Sequence, residues 1–565
     1  MPHPVLRVLP SVFVALLAGC ATTKPPGPLA RAANPTPIAI EAIARPGGET
    51  SAWWFRSGAA QAAANGAMDG KARNLVLFVG DGMGITTVAA ARILEGQRQG
   101  GPGEEHRLAF EDFPYTALAR TYNTDRQTPD SAGTMTAMAS GVKTRMGVLA
   151  LGPSVRRTDC AAAADDELAS LFELASVAGL ATGIVTTTRI THATPAATYA
   201  RSPERNWEDD VALAPVAAAA GCKDIARQLV EPRIGRGLDV AFGGGRDRFL
   251  PLAAGGTRGD GRDLLAEWQA RTGGRYAADA AALAALDPGD RAPWLGLFAR
   301  DHLQFEHDRP RVAPAEPSLA DLTRAALGRL SRDPEGFVLL VEGGRIDHAH
   351  HFGNAFRALS DTLAFSDAVR ATLEAVDLDE TLVVVTADHS HVLTFAGYPA
   401  RGNPILGLVR GTSGEETPMG PFALDALGLP YTTLSYANGP GYTGTSDRQA
   451  EGAKRHRHDF SAMAAIRAGR PDLRALDPTD PDYLQEATVP LKDETHGGED
   501  VPVYATGAGA GAFRGSLEQH VLYHLMVQST PRLREQLCAA GLCNPQGVPV
   551  EVPRPANLGS LDPPP

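Results

Sequence analysis

The densest polar run in the chain is Glu342-Gly343-Gly344-Arg345-Ile346-Asp347-His348-Ala349-His350-His351. Asp347 and His351 stand four apart, so one helical turn brings them to the same face. A carboxylate with imidazoles is a normal zinc ligand set, and a catalytic zinc keeps one position open. His496, within Glu494-Thr495-His496-Gly497-Gly498-Glu499, offers another imidazole. Taken singly, His348 or His350 reads equally well as a solvated histidine. Asp388-His389 is a second carboxylate–imidazole pair. Two zinc ions about 4 Å apart would clamp a transferring phosphoryl group. Glu342, Asp81 and Thr194 offer only oxygen donors, which suit magnesium better than zinc.

A nucleophile is available in Thr128-Pro129-Asp130-Ser131-Ala132-Gly133-Thr134. The small residues from Ala132 to Ser140 read as a helix. Ser131 would sit at its N-terminus, where free N–H groups and the helix dipole favour an anion. Considered alone, a cap made by Asp130 or Ser131 is the commoner explanation of this pattern. No Ser–His–Asp arrangement accompanies Ser131, but a coordinated zinc can activate a hydroxyl directly. Gly80-Asp81-Gly82-Met83-Gly84 is not a dinucleotide fingerprint, because Ile85 stands where the third glycine belongs. There is no G-x-x-x-x-G-K-[ST] segment either.

These residues need elements to carry them. Leu75–Val79, Ile184–Thr187, Phe337–Val341 and Leu382–Val385 are short, continuous apolar runs, the pattern of strands covered on both faces. Each is followed almost at once by polar residues: Asp81, then His192 and Thr194, then Glu342 and Asp347, then Asp388 and His389. In open α/β sheets ligands bind outside the carboxyl ends of strands, so residues distant in sequence would meet on one rim. An Asp-Gly pair such as Asp81-Gly82 is ordinary turn chemistry by itself, but four such endings strain that explanation. Asn354–Val376 places Phe356, Leu359, Leu363, Val369 and Leu373 at helical spacing. The expected fold is α/β, a three-layer α/β/α sandwich on a large, mostly parallel sheet. Residues 397–490, rich in Gly, Pro, Tyr and Asn, read as an insertion of loops and short strands. Residues 551–565 read as a disordered tail, and 51–550 as the catalytic domain.

The 565 residues carry a net charge of −12 and are 43% hydrophobic and 21% charged. Such a chain folds, and has no general attraction to nucleic acid or to anionic membrane surfaces. Arg7 and the apolar Ser11–Ala18 form a signal peptide over residues 1–20, too short to span a bilayer. Leu17-Ala18-Gly19-Cys20 resembles a bacterial lipobox, which would make Cys20 a lipidated first residue, facing the periplasm or cell surface. The alternative is ordinary cleavage and a soluble exported product. Residues 21–50, rich in Ala, Thr, Pro and Gly, read as a flexible tether. Cys160, Cys222, Cys538 and Cys543 remain, and an even number in an exported protein suggests two disulfides. Cys538 and Cys543 could close a short local loop. The residues alone allow three pairings, or four free thiols.

Taken together, Val79–Gly84 (VGDGMG), Thr128–Gly133 (TPDSAG), Thr191–Ala200 (THATPAATYA), Val341–His351 (VEGGRIDHAHH), Thr386–His391 (TADHSH) and Glu494–Val501 (ETHGGEDV) resemble the alkaline phosphatase family. The resemblance runs from about Trp53 to Leu542 and is closer to the animal enzymes than to the enterobacterial one. It implies hydrolysis of phosphate monoesters through a phosphoserine on Ser131, with two zinc ions and one magnesium ion. It implies that Asp347, His351 and His496 hold the first zinc, and Asp81, Asp388 and His389 the second. Asp81, Thr194 and Glu342 would hold magnesium, and Arg205 would bind phosphate. His192 and His348, where the enterobacterial enzyme has Asp and Lys, would tune the magnesium site and phosphate release. The resemblance also implies Cys160–Cys222 and Cys538–Cys543 bridges, a homodimer, and a crown-like surface role for the insertion, in which Tyr436–Tyr442 resembles a crown segment. One departure is expected: Phe298 is followed by Ala299 where animal members carry a Phe-Glu calcium site, so that site should be absent. Rival readings are a phosphodiesterase or sulfatase on the same fold, and a non-catalytic metal-binding surface lipoprotein.

Overall fold

The four apolar runs lie side by side in the middle of one ten-stranded sheet. In chain order its strands are β1 (Asn74–Gly80), β2 (Tyr115–Arg120), β3 (Ala181–Arg189), β4 (Val240–Gly244), β5 (Arg275–Ala277), β6 (Trp294–Leu297), β7 (Phe337–Glu342), β8 (Thr381–Ala387), β9 (Val501–Gly507) and β10 (Gly515–Glu518). Their spatial order is β10-β2-β9-β8-β1-β7-β3-β4-β6-β5. Only β9 runs against its neighbours, pairing antiparallel with β8 and β2. The computed structural model describes residues 38, 48–411, 419–458 and 460–559. The lipobox with Cys20, most of the expected tether and residues 560–565 lie outside the described residues.

The central strands form because their side chains are apolar on both faces and both faces are covered. Leu75–Val79 and Leu382–Val385 are fully buried, and each such side chain contributes about 1.5–3 kcal/mol on burial. Helices Ile85–Arg98, Leu319–Leu330 and Ala355–Ala375 pack together in one layer. Helices Ser131–Ser140, Leu171–Val177, Val521–Ser529 and Pro531–Ala539 pack together in the other, with Ser51–Ala64 laid over Val521–Ser529. Asn354 caps Ala355–Ala375 through its side chain, so that helix starts where the spacing predicts.

Register decides what meets at the rim. Val79 pairs with Glu342 on one side and Thr386 on the other, and Glu342 pairs with Thr186. Asp81 and Asp388 each follow this row by two residues, so they emerge together beside Glu342. A short antiparallel pairing of Ser390–His391 with His496–Gly497 draws the ETHGGEDV loop to the same place.

Where described, residues 397–490 consist of loops, isolated bridges, a 3-10 turn and short strands. Leu434–Gly439 pairs with Leu393–Phe395 and with Ala487–Pro490 in a three-stranded sheet. Tyr436 departs from the surface role expected of its segment: it is 2% exposed, and its hydroxyl meets His350 Nδ1 at 2.7 Å. The two disulfides pair Cys160 with Cys222 and Cys538 with Cys543. Two expected flexible stretches differ from expectation where they are described. Ile38 packs against Ala59, Ala63 and Val548. Residues 551–559 lie on the body: Val552 is buried, the Pro553 carbonyl accepts from Ala169 N, and Arg554 pairs with Asp166 at 2.9 Å. Proline-rich composition signals a lack of regular structure, which does not prevent docking. Among the described residues, no helix is long and apolar enough to cross a membrane.

Candidate active site

Ser131 is the first residue of a fully buried ten-residue helix, Ser131–Ser140. The cap is Asp130, whose carboxylate accepts from the N–H of Gly133 and Gly147 and from Asn123 Nδ2. Ser131 is therefore not needed as a cap. Its hydroxyl stands 3.2 Å from His389 Nε2 and 3.5 Å from Asp81 Oδ1. His389 Nε2 is in turn 3.4 Å from Asp81 Oδ1 and 3.3 Å from Asp388 Oδ2. Gly82 N and His389 N both donate to Asp388 Oδ1, fixing that carboxylate.

A second cluster lies on the adjoining helix Arg345–His351. Asp347 Oδ1 is 3.4 Å from His351 Nε2 and 3.2 Å from His496 Nε2. The two Nε2 atoms face each other at 3.1 Å. Each ring donates from its other nitrogen to a carbonyl, His351 Nδ1 to Glu494 O at 2.5 Å and His496 Nδ1 to Pro129 O at 2.8 Å. A carbonyl can only accept, so the Nδ1 atoms carry protons, and the two Nε2 atoms point at one another beside a carboxylate. That arrangement suits a cation between them.

The oxygen donors form the third set. Glu342 Oε1, Asp81 Oδ2 and Thr194 Oγ1 are buried and lack hydrogen-bond partners. Glu342 Oε2 is held by the Thr186 and Thr188 hydroxyls. Burial is the largest influence on the Glu342 carboxyl and pushes it up to about 7, with the Thr186 and Thr188 hydroxyls opposing the rise and Asp388 adding to it. Burial, then Asp388 and Asp347, hold Asp81 well above the usual carboxylate range. Buried acids that resist ionisation, with oxygens aimed at no donor, mark places built for cations. Ligand atoms of Asp81, Glu342 and His192 lie within 4.8 Å of one another, as do those of Asp81, Asp347 and His389. All eight ligands expected from the sequence thus meet on one rim.

Arg205 reaches this rim from a loop. Its guanidinium donates to Asp130 Oδ2 at 3.0 Å and lies 3.1 Å from His192 Nε2. Asp130 therefore caps the Ser131 helix and holds the arginine, fixing one relative to the other. Burial, then the charge of Arg205, keeps His192 well below its ordinary pKa. Burial, then Arg345, does the same to His348. His302 stands against both, with ring centroids 5.5 Å from His192 and 4.3 Å from His348.

Sequence reading missed several supporting residues. His391 Nε2 lies 2.8 Å from Asp347 Oδ1 and its Nδ1 bonds the Glu494 carboxylate. Burial opposes its charge, yet Glu494 and Asp347 push His391 up to about 10. With both nitrogens facing carboxylates, it orients Asp347 rather than offering a free lone pair. The signal was present, since His391 and Glu494 stand in the TADHSH and ETHGGEDV motifs, but nothing in the spacing shows that they touch. Thr186, Thr188 and Asp130 were likewise hidden as strand residues and a cap.

The geometry agrees with the comparisons. A family model described as alkaline phosphatase matches residues 72–530. The chain is 40% identical over 474 residues to the rat tissue-nonspecific alkaline phosphatase isozyme, covering 81% of this chain and 84% of the rat protein. It is equally similar to an alkaline phosphatase of Gadus morhua, at 40% identity over 81% of this chain and 91% of the cod protein. Among solved structures, Thermus thermophilus alkaline phosphatase aligns with a TM-score of 0.58 and 26% identity over 84% of this chain and 96% of that one. With a buried serine and cation-demanding carboxylates and imidazoles on one rim, and with this level of likeness to animal enzymes, the chain belongs to the alkaline phosphatase family and hydrolyses phosphate monoesters.

Proposed function

We propose that hydrolysis proceeds in two in-line steps through a phosphoserine on Ser131, with two zinc ions and one magnesium ion as cofactors. The observation that carries this is the pair of Nε2 atoms of His351 and His496, 3.1 Å apart beside Asp347 on the rim that holds the Ser131 hydroxyl. Asp347, His351 and His496 would hold one zinc, and Asp81, Asp388 and His389 the other. Asp81, Thr194 and Glu342 would hold magnesium, their unpartnered oxygens fitting a hard cation. Bound metal supplies Lewis acidity, which lowers the pKa of a nearby hydroxyl and neutralises charge on phosphoryl and leaving oxygens.

The residues do the rest. Ser131 Oγ forms a bond to phosphorus as the ester P–O bond breaks, and the departing alcohol oxygen takes up a proton. Water then attacks phosphorus from the side the alcohol left, opposite Oγ, the Oγ–P bond breaks, and Ser131 regains its proton. The amide N–H groups of the first helical turn after Asp130 add positive potential at the phosphoryl oxygens. Arg205, held by Asp130, presents a planar fork to two of those oxygens. His192 and His348, kept neutral, add no fixed charge that would slow phosphate release. A dianionic monoester gains most from the arginine and the Glu342 site, which favours it over a diester or a sulfate ester. Ser131 and Arg205 both stand in the site, which speaks against a non-catalytic metal-binding role.

The test is metal analysis of purified protein with acid-quenched turnover of an aryl phosphate. Two zinc and one magnesium per chain, with phosphate trapped on Ser131, are the expected results. A Ser131→Ala variant that keeps metal-dependent turnover would overturn the nucleophile assignment. The lipobox supports an exported protein tethered through Cys20, checked by mass spectrometry of its N-terminal peptide. The likeness to animal enzymes supports a homodimer, checked by analytical ultracentrifugation.

A further inference from the structure

At the opposite end of the sheet from the reaction rim lies a groove of about 580 Å³. It opens at the amino ends of β4 and β6, between the C-terminal ends of helices Leu264–Thr272 and Leu319–Leu330. Five arginines line it, Arg236, Arg271, Arg291, Arg329 and Arg332, against two aspartates. Asp239 is already engaged, pairing with Arg236 at 3.0 Å and accepting from Thr182 N at 2.8 Å. Among the described residues, none of Arg271, Arg291, Arg329 and Arg332 has a carboxylate within ion-pair distance, although the chain carries a net charge of −12 and pairs most of its other arginines.

One arginine in the last turn of each helix is explained by the helix dipole, and Arg271 and Arg329 hold those places. Arg332 also serves a helix end, donating from Nε to the Gly328 carbonyl at 3.2 Å, whereas Arg291 lies beyond the helices and has no such reason. Arg329 is the second, independent sign. It is 5% exposed, and one of its terminal nitrogens donates to the Arg291 carbonyl at 2.7 Å, while its Nε is buried with no hydrogen-bond partner. A buried guanidinium with an N–H unpaired, among like charges, is costly, and an anion in the groove would offset its charge. Arginine forks match phosphate oxygens in pairs, and the groove far exceeds a single phosphate, falling in the range that holds an extended small ligand.

We infer that this groove is a second, non-catalytic anion site that binds a phosphate-bearing polyanion carrying at least two phosphoryl charges. Its contacts would be Arg271, Arg291 and Arg332 around the mouth, with the charge of Arg329 beneath them. Such a site would gather polyanions that the acidic remainder of the surface repels.

The experiment titrates the wild-type holoenzyme calorimetrically with methylenediphosphonate, which resists hydrolysis. Its inhibition of aryl phosphate turnover reports binding at the catalytic rim separately. Two classes of site are expected. One matches the inhibition constant. The other weakens about tenfold or more in Arg271→Gln/Arg291→Gln, both exposed positions, and also weakens as salt is raised. The double variant keeps wild-type kcat/KM, so loss of the second class is not loss of the fold or of the catalytic reading. Arg329→Gln tests the base of the groove in the same way. A parallel arm floats the protein on phosphatidylglycerol and on phosphatidylcholine vesicles. Retention of wild type, but not of the double variant, on the anionic vesicles alone, without a second calorimetric class, assigns the phosphate to a lipid headgroup. A single class equal to the inhibition constant with no vesicle binding overturns the proposal, as does a second class that neither variant moves.

Discussion

At the level of single residues, the site depends on side chains that carry out the chemistry and on others that fix their angles. In the proposed mechanism Arg205 belongs to the first kind. Arg205→Lys keeps the charge and loses the fork, so kcat/KM for an aryl phosphate should fall about 10–100-fold with most of the change in KM. A near wild-type KM would show that charge alone suffices. His391 belongs to the second. His391→Gln frees Asp347 from its 2.8 Å partner and should weaken metal retention about 10–100-fold, read as the chelator concentration that halves activity. Gly82 guards the same contact: its φ is +70°, and a Cβ there would lie 2.4 Å from His391 Cδ2. The proposed ligand residues stood out in the sequence because carboxylates and imidazoles at strand ends are chemically conspicuous. Arg205 was not, since an isolated arginine in a loop reads as surface charge and its place became clear only beside Asp130. His391 and Glu494 were illegible as a pair because 103 residues separate them.

Among the elements, the strands buried on both faces were the legible ones. β1, β3, β7 and β8 are continuous apolar runs and occupy adjacent central places. β2 buries only Ala117 and Ala119, β5 has three residues, and β9 contains Pro502, so none carries a strong apolar signal. The layer beneath the Ser131 helix was also hidden, because its packing relies on histidines. His520 and His524, on or next to helix Val521–Ser529, are buried, and His524 Nε2 lies 3.3 Å from the Gly141 carbonyl that ends the Ser131 helix. Burial lowers His524 to about 3 from an ordinary 6.5, with the Gly141 carbonyl opposing it. Its folded pKa lies below its unfolded value, so the stability it contributes is complete above pH 6.5 and is lost as pH falls toward 3. The loss is about 1.4 kcal/mol per pH unit in that window. His524→Gln should therefore lose less stability than wild type between pH 7 and 5 in denaturant titrations; equal losses would mean that His524 is not the acid-sensitive group. Gly58 lets helix Ser51–Ala64 sit on these rings, since a Cβ would lie 2.3 Å from His524 Cδ2. Gly58→Ala should cost about 1–3 kcal/mol in the same assay.

For the molecule as a whole, the rim is where distant parts of the chain are joined. Asp81, Ser131, Glu342, Asp388 and His496 come from segments spread over most of the described residues, and the carboxylates among them are buried close together. Burial raises Asp81, Asp388 and Glu342 and neighbouring carboxylates add to it, so the assembled rim opposes its own ionisation when no cation is present. Metal that binds the folded rim and not the open chain stabilises by mass action, about 4 kcal/mol when free metal exceeds its dissociation constant a thousandfold. In a molecule of this size that corresponds to a shift of a few degrees in thermal midpoint. Chelation should therefore lower the midpoint by at least that much while the far-ultraviolet circular dichroism of the sheet persists at room temperature, because β1, β3, β7 and β8 are held by apolar burial. Zinc and magnesium together should restore the midpoint, and either alone only part of it, since the imidazole-rich and oxygen-only sets are separate donors sharing Asp81. Scanning calorimetry before and after chelation measures this directly. An unchanged midpoint would mean that the rim closes without cations, and the unpaired oxygens of Asp81, Thr194 and Glu342 would then need another partner.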